Sequence, residues 1–177
     1  MRLLASGVTV IATAHQGRRS GLTATAVCSL ALAPSRILAC LNVSGYTYEL
    51  LCRSRRASVN ILAEDQQTVA DRFAGRAGDA DSDSRFAGAE WHNNGAGVPM
   101  LAGALASLDC LVVQMSVLDT HAIIIGVVED ATFGPLRQPL IHFEAAYTTS
   151  PLPAPPVSLR WTRASQATQH KSSSRER

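Results

Sequence analysis

GRRSGLTATAVCSLALAPSRILACLNVS, residues Gly17 to Ser44, decides how this chain is read. The stretch opens with a basic turn, Gly17-Arg18-Arg19-Ser20-Gly21, and continues through small, hydroxylated and apolar residues from Leu22 to Leu32. It bends at Ala33-Pro34-Ser35 and resumes as an apolar run from Ile37 to Val43. Thr and Val are frequent and turn residues bracket both runs, so the pattern predicts two strands joined by a proline-containing bend rather than a helix. Thr23, Ala24, Thr25, Ala26, Cys28 and Ser29 are too small to fill a core alone. They form either an ordinary strand packed against larger side chains or a shallow, hydroxyl-lined wall for a flat ligand.

Upstream, GVTVIATA from Gly7 to Ala14 reads as a strand, ended by His15-Gln16-Gly17 and forming a hairpin with the next. Downstream, Tyr46 to Arg53 has apolar residues at helical spacing. It ends in Arg53-Ser54-Arg55-Arg56, a solvated cationic helix end or a phosphate-binding patch. Ala57 to Ala63 predicts a fourth strand, and Glu64 to Phe73 a second helix. Gly75 to Gly88 is a loop, and Trp91 to Pro99 a second irregular stretch. Asp79, Asp81 and Asp83 alternate as calcium ligands do, but the Gly and Glu of an EF-hand loop are not in place, so the loop is read as solvated. Strands follow over Ala106 to Leu118, Ala122 to Val128 and Leu140 to Tyr147, with Asp119-Thr120-His121 between the first two. Pro151, Pro153, Pro155 and Pro156 then open a polar tail that cannot bury enough apolar surface to fold alone. The expected organisation is one domain over 1–149 and a disordered tail over 150–177.

A chain of 177 residues holds one domain with a sizeable core. A net charge of +2 and 5% aromatic residues supply neither a dense basic face nor a stacking platform for nucleic acid. Cys28, Cys40, Cys52 and Cys110 form no C-x-x-C pair and have no His at zinc spacing, so free buried thiols and no metal are expected. No apolar run is long enough to span a bilayer. Met1 to Ala14 mimics a secretory signal, but Ser6, Gly7 and Thr9 interrupt its apolar region, so a reducing, cytoplasmic setting is expected. There the glycosylation pattern Asn42-Val43-Ser44 carries no meaning. Many short strands with a few inserted helices argue for a mainly β, antiparallel barrel. No G-x-G-x-x-G or Walker loop occurs, so any nucleotide is held by other means.

Taken in order, GVTVIATA, GLTATAVCSLAL, ACLNVS, ASVNILAEDQQTVADRFAG, the W…G.P.L.GALA.L.C pattern from Trp91 to Cys110, Thr120-His121 and PLIHFEAAY resemble the short-chain flavin reductase family. The resemblance spans about residues 3 to 149 and implies the FMN-binding split β-barrel fold. It implies NADH- or NADPH-dependent reduction of FMN or FAD, with reduced flavin passed to a partner monooxygenase, and a homodimer with flavin near the subunit interface. Residues matching the family's flavin-binding segments are Arg19, Ser20, Gly21, Leu22, Thr23, Thr25 and Ala26, then Cys40, Leu41 and Asn42, then Tyr46, Thr47, Arg72 and Phe73. Ser44, Thr47, Arg19 and Arg72 are candidate phosphate partners, Arg bidentately. Leu140, Ile141, His142 and Phe143 match the nicotinamide segment, where His142 is also readable as half-buried scaffold. His121 is the candidate catalytic residue, orienting the nicotinamide or tuning charge, or else a structural His at a strand bend.

The resemblance implies a hydride passing directly between two stacked rings, which requires no protein nucleophile. Asp119 stands where the family pattern has Gly, the helix that normally precedes the first strand is cut to Met1 to Ser6, and the proline-rich tail has no counterpart. Two other readings follow: a non-catalytic flavin carrier whose nicotinamide site Asp119 impairs, and an oxidase of the pyridoxamine-phosphate type. The latter calls for a denser Arg and Lys cluster than the sequence shows.

Overall fold

In a computed structural model, the protein is described for residues 2–76, 78 and 81–150; Asp79 and the expected tail from 151 onward lie outside these. The architecture rests on a seven-stranded antiparallel sheet. Its strands in chain order are β2 (Thr9–His15), β3 (Arg18–Ala24), β4 (Val27–Leu32), β5 (Ser35–Asn42), β6 (Arg56–Ile61), β9 (Ala106–Leu118) and β10 (His121–Phe133). Their spatial order is β3-β2-β6-β9-β10-β5-β4. The two edges, β3 and β4, are consecutive in the chain and separated by Thr25 and Ala26 alone. A sheet whose first and last strands are so joined must curl round toward itself. The Cys40 amide, donating to the Ala26 carbonyl at 2.9 Å, holds the crossover against β5. The result is an antiparallel split barrel, as the sequence implied.

The stretch from Leu22 to Leu32 is therefore two strands, not one. The break at Thr25-Ala26 arises where the chain passes from one sheet edge to the other. The preceding turn is also shorter than Gly17 to Gly21. Gln16 and Gly17, with φ of 50° and 75°, make a two-residue connection whose twist suits a hairpin, so Arg18 to Gly21 already lie on β3. Leu140 to Tyr147 is likewise a hairpin, β11 (Leu140–Phe143) and β12 (Ala146–Thr149), turning at Glu144 and Ala145 with φ of 50° and 64°. With β1 (Ser6–Gly7) it forms a three-stranded sheet. The stretch read as irregular after Trp91 contains the short pair β7 (Trp91–Asn93) and β8 (Pro99–Leu101).

Two apolar clusters hold these parts. Ile11, Ala39, Leu41, Leu51, Val59, Cys110, Val112 and Ile124 fill the barrel. Val8, Val10, Ala12, Leu62, Val69, Phe73, Phe86 and Leu140 form a second cluster outside it. Strand β2 is thus buried on both faces, which explains its unbroken TVIATA. Helix α1 (Tyr46–Ser54) buries Leu50 and Leu51 and stops where Arg55 turns left-handed, its amide bonded to the Leu51 carbonyl at 2.9 Å. Helix α2 (Gln67–Phe73) buries Val69, Ala70 and Phe73, preceded by a 3₁₀ turn over Glu64–Gln66. Each fully buried Val, Leu or Phe contributes about 1.5–3 kcal/mol.

Candidate functional site

Strand β3 runs between the two helices, and alternation sends its side chains to different places. Ser20 faces α1 and bonds Thr47 through their hydroxyls at 2.8 Å, both groups buried. Thr23 faces α2, its Oγ1 donating to the Ala70 carbonyl at 2.6 Å. Gly21 meets the Phe73 ring so closely that a Cβ there would stand 2.7 Å from Cε1. Leu22 packs on the barrel cluster. Arg19 places its guanidinium 4.4 Å over the Phe86 ring and donates from Nε to Asp83 at 2.5 Å.

The segment 81–86 closes over this sheet edge. Ser82 Oγ donates to the Arg19 carbonyl at 3.0 Å and Arg85 Nη1 to the Gly21 carbonyl at 3.4 Å. Arg72 reaches from α2 to the Ser84 carbonyl at 3.5 Å. The acidic loop read as solvated is thus partly the cover of β3. Nothing in its spacing signals this, because its partners lie more than sixty positions away in sequence.

Beyond β3 the chain crosses at Thr25 and Ala26, the latter exposed, beside Cys40. Leu41 is in the core, so only its backbone faces a ligand. Asn42 is exposed and its Oδ1 accepts from the Ser44 amide at 2.8 Å and the Ser44 hydroxyl at 2.7 Å, fixing the chain as it enters α1 at Gly45. The first amides of α1, at Tyr46 and Thr47, follow immediately, at the positive end of the helix dipole. Asn42 pairs in register with His121, whose Nδ1 is 2.9 Å from Thr120 Oγ1, and the Thr120 carbonyl accepts from the Val43 amide at 3.0 Å. Asp119 adopts φ of 52°, a left-handed turn position that Asp tolerates and Gly favours.

These bonds join Ala26, Cys40, Asn42, Ser44 and His121 in sequence toward the start of α1, Arg19 and Tyr46 line one cleft with Asp81 to Asp83 and Arg85, and Arg72 is tied to that segment through Ser84. Of the hydroxyls in the expected wall, that of Thr23 is bonded within the protein, and beside it those of Ser20 and Thr47 are bonded to each other. Leu140 to Phe143 lie elsewhere. Leu140 is buried against Val8 and Leu62, Ile141 pairs with Gly7, and His142 meets Tyr147 edge-on at 5.9 Å. Phe143 is half-exposed. No hydrogen bond among the described residues joins this segment to His121.

Residues 1–151 match the flavin reductase like domain. The chain belongs to that family. An FMN reductase (NADH), RutF 1 of Methylorubrum extorquens, is 37% identical over 85% of this chain and 74% of its own. The styrene monooxygenase flavin reductase of Pseudomonas putida S12 superposes with a TM-score of 0.75 at 29% identity, covering 86% of this chain and 96% of its own. The NADH:FAD oxidoreductase SgcE6 of Streptomyces globisporus, solved with NAD and FAD fragments, gives 0.74 at 26% identity, with coverage of 82% and 86%.

All four cysteines are free. No helix among the described residues is long and apolar enough to cross a membrane.

Proposed function

We propose that this protein is an NADH:flavin oxidoreductase that reduces FMN or FAD and supplies it to a partner monooxygenase. The observation that carries the reading is the strip of bonded residues from Ala26 to the start of α1. It offers a small-residue crossover at Thr25-Ala26 and a rigid Asn42–Ser44 turn leading into a helix N-terminus, with guanidinium groups at Arg19 and Arg72 tied to the neighbouring segment 81–86, all within a flavin reductase domain. Such a strip fits a planar ring with an anionic tail. A flavin bound there would supply a ring able to accept a hydride, and with it two electrons, from the nicotinamide.

The chain's own part is binding and orientation. Thr25 and Ala26 let the ring approach the backbone closely. The first amides of α1, held by the Asn42 turn, and the cationic side chains favour the phosphate. His121, with Nδ1 turned to Thr120, would have Nε2 left to orient the nicotinamide carboxamide. FMN and NADH are the pair named for the Methylorubrum relative, FAD the flavin named for the Streptomyces one. The cytoplasm is the compartment that suits four free thiols and freely diffusing nucleotides.

A second copy of the chain completes the site. The outward face of β5 and β10 carries Leu38, Ile123, Ile125 and Val127, while their neighbours Ala39, Leu41, Ala122 and Ile124 fill the barrel. Beyond Leu111 the outer edge of β9 has no register partner on the β6 side, and Val113, Val117 and Leu118 are 46%, 56% and 59% exposed. A sheet apolar on both faces calls for a cover on both. A homodimer through this face lets the His121 corner of one protomer meet the nicotinamide segment of the other.

The carrier reading retains one support, the charge of exposed Asp119 beside His121. Flavin binding without NADH oxidation, restored by Asp119→Gly, is its signature. The binding strip is tested by Ala26→Trp, which places bulk on an exposed position without touching the core. FMN and FAD affinity, read from flavin fluorescence, falls at least tenfold while the unfolding temperature holds. Unchanged affinity would place the flavin elsewhere.

A further inference from the structure

The cleft that holds Arg19 also holds a rival for anything anionic that Arg19 could bind. Its volume is about 550 Å³, and its lining joins Arg18, Arg19 and Tyr46 to the segment Asp81–Asp83 and to Arg85. Arg18 lines this cleft and two others around the Gln16–Gly17 turn, and has no carboxylate partner among the described residues. Two carboxylates face these cations, and they are held differently. Asp81 is turned to its own chain. Its Oδ1 accepts from the Ser84 amide at 2.7 Å, and that bond keeps the carboxyl below the usual carboxylate range. Asp83 instead reaches across to β3, where its Oδ1 accepts from Arg19 Nε at 2.5 Å.

The guanidinium that Asp83 meets is already fixed on its other side. It stands 4.4 Å over the Phe86 ring, and Phe86 is buried edge-on against Phe73 and Trp91, at 4.9 Å from each. Nor can Asp83 drift away by itself. Ser82 Oγ ties its segment to the Arg19 carbonyl at 3.0 Å, and Arg85 Nη1 ties it to the Gly21 carbonyl at 3.4 Å. A phosphate approaching Arg19 therefore finds Nε taken and a negative charge beside it. Bidentate capture through Nε and one Nη is blocked, and only the edge formed by the two Nη groups is left. As an ion pair the contact adds little to the fold, because the Arg19 and Asp83 side chains are 37% and 68% exposed. Its effect falls on the ligand.

We propose that Asp83 is a specificity-determining residue that competes with the flavin phosphate for Arg19, so that phosphorylated flavin is released rather than retained. Asp83 acts through Arg19 and is a positioning residue. The proposal rests on the reading of Arg19 as a phosphate partner, and it adds a device suited to a product that must leave, since release limits many turnovers. The competition is blind to the ring. It weakens FMN and leaves riboflavin, which has no phosphate, as it was.

That difference is the test. Affinities of the full chain for FMN and for riboflavin are read from flavin fluorescence at low and at moderate salt. Asp83→Asn keeps the shape and removes the charge; it should tighten FMN by about three- to tenfold at low salt, less at moderate salt, with riboflavin unchanged. Asp83→Glu, which keeps the charge, should leave FMN close to the unsubstituted value. Ser82→Ala loosens the same segment without altering charge and should give no preference between the two flavins. Asp81→Asn removes the neighbouring charge without freeing Arg19 and should tighten FMN less. An equal gain in Asp81→Asn assigns the effect to the net charge of the cleft and overturns the competition. Unchanged or weaker FMN binding in Asp83→Asn, or equal tightening of FMN and riboflavin, overturns it too, while leaving the proposed function in place. An unsubstituted protein that binds neither flavin removes both.

Discussion

Replacing Gly21 by Ala tests how tightly β3 is clamped to α2. The added Cβ would stand 2.7 and 2.9 Å from two carbons of the Phe73 ring and 3.0 Å from the Ile11 carbonyl oxygen, where ordinary contact begins at 3.4 Å. The ring cannot swing aside freely. Phe73 is 2% exposed and is held edge-on by Phe86 at 4.9 Å and tilted against Trp91 at 5.4 Å. Overpacking of this kind costs about 1–3 kcal/mol, and Gly to Ala in a strand returns about 0.5–1 kcal/mol. Contacts as short as 2.7 Å put the overpacking cost in the upper half of its range, which leaves a net destabilisation of about 1–2.5 kcal/mol. At about 2–4 °C per kcal/mol for a domain of this size, the unfolding temperature drops by about 2–10 °C. Differential scanning calorimetry reads the shift. Phe73→Leu, which withdraws the ring edge, should reduce the cost of Gly21→Ala by at least about 0.5 kcal/mol in a double-mutant cycle. An unchanged or raised unfolding temperature in Gly21→Ala, or strict additivity with Phe73→Leu, would refute the clamp.

Asn60, fully buried, joins three strands: Nδ2 donates to the Val10 carbonyl at 3.0 Å and to Ser58 Oγ at 2.9 Å, and Oδ1 accepts from the Leu101 amide at 2.9 Å. Asn60→Ala strands that amide and opens a cavity, costing about 2–4 kcal/mol in urea unfolding. Asp109 is pushed above the usual carboxylate range chiefly by burial, with Glu129 and Asp130 adding to the rise and Arg56 and Asn94 opposing it. A raised pKa stabilises the fold below the unfolded value and loses that contribution as pH rises through the folded one. Asp109→Asn should therefore raise the unfolding temperature at pH 7, with the difference fading below about pH 4. Burial pushes the Cys110 thiol up to about 12 from 9.0, so stability should fall as pH rises between those values, and Cys110→Ala should flatten that slope. At pH 8 native Cys110 should resist thiol reagents while the exposed Cys28 and Cys52 react.

Much of the fold was legible because single segments carried it. TVIATA reads as a strand on either face, and the 3.6-residue spacing of α1 survives in YTYELLCR. What escaped was set by contacts across the chain. Thr25-Ala26 carries no glycine or proline to announce a break; the chain parts there because the sheet's two edges must meet. Glu144 and Ala145 turn at positive φ without the Asn-Gly signal that would have marked the β11–β12 hairpin. For the candidate site, the ordered resemblance named Arg19, Arg72 and the Asn42 turn as candidates. It did not reveal that Ser20, Thr23 and Thr47 are bonded internally, nor that Ser82 and Arg85 reach back to β3. Arg18 drew no attention as part of a turn; placed on β3, it becomes the cation shared by three clefts.

The central claim is hydride transfer from a nicotinamide to flavin with this chain as catalyst. Its most direct test is anaerobic: NADH, FMN and a catalytic amount of protein, followed by the loss of the oxidised flavin band. The account predicts bleaching over many turnovers, proportional to protein and absent when either nucleotide is omitted. An FMN spectrum unchanged from the protein-free control, with FAD behaving the same way, would contradict it.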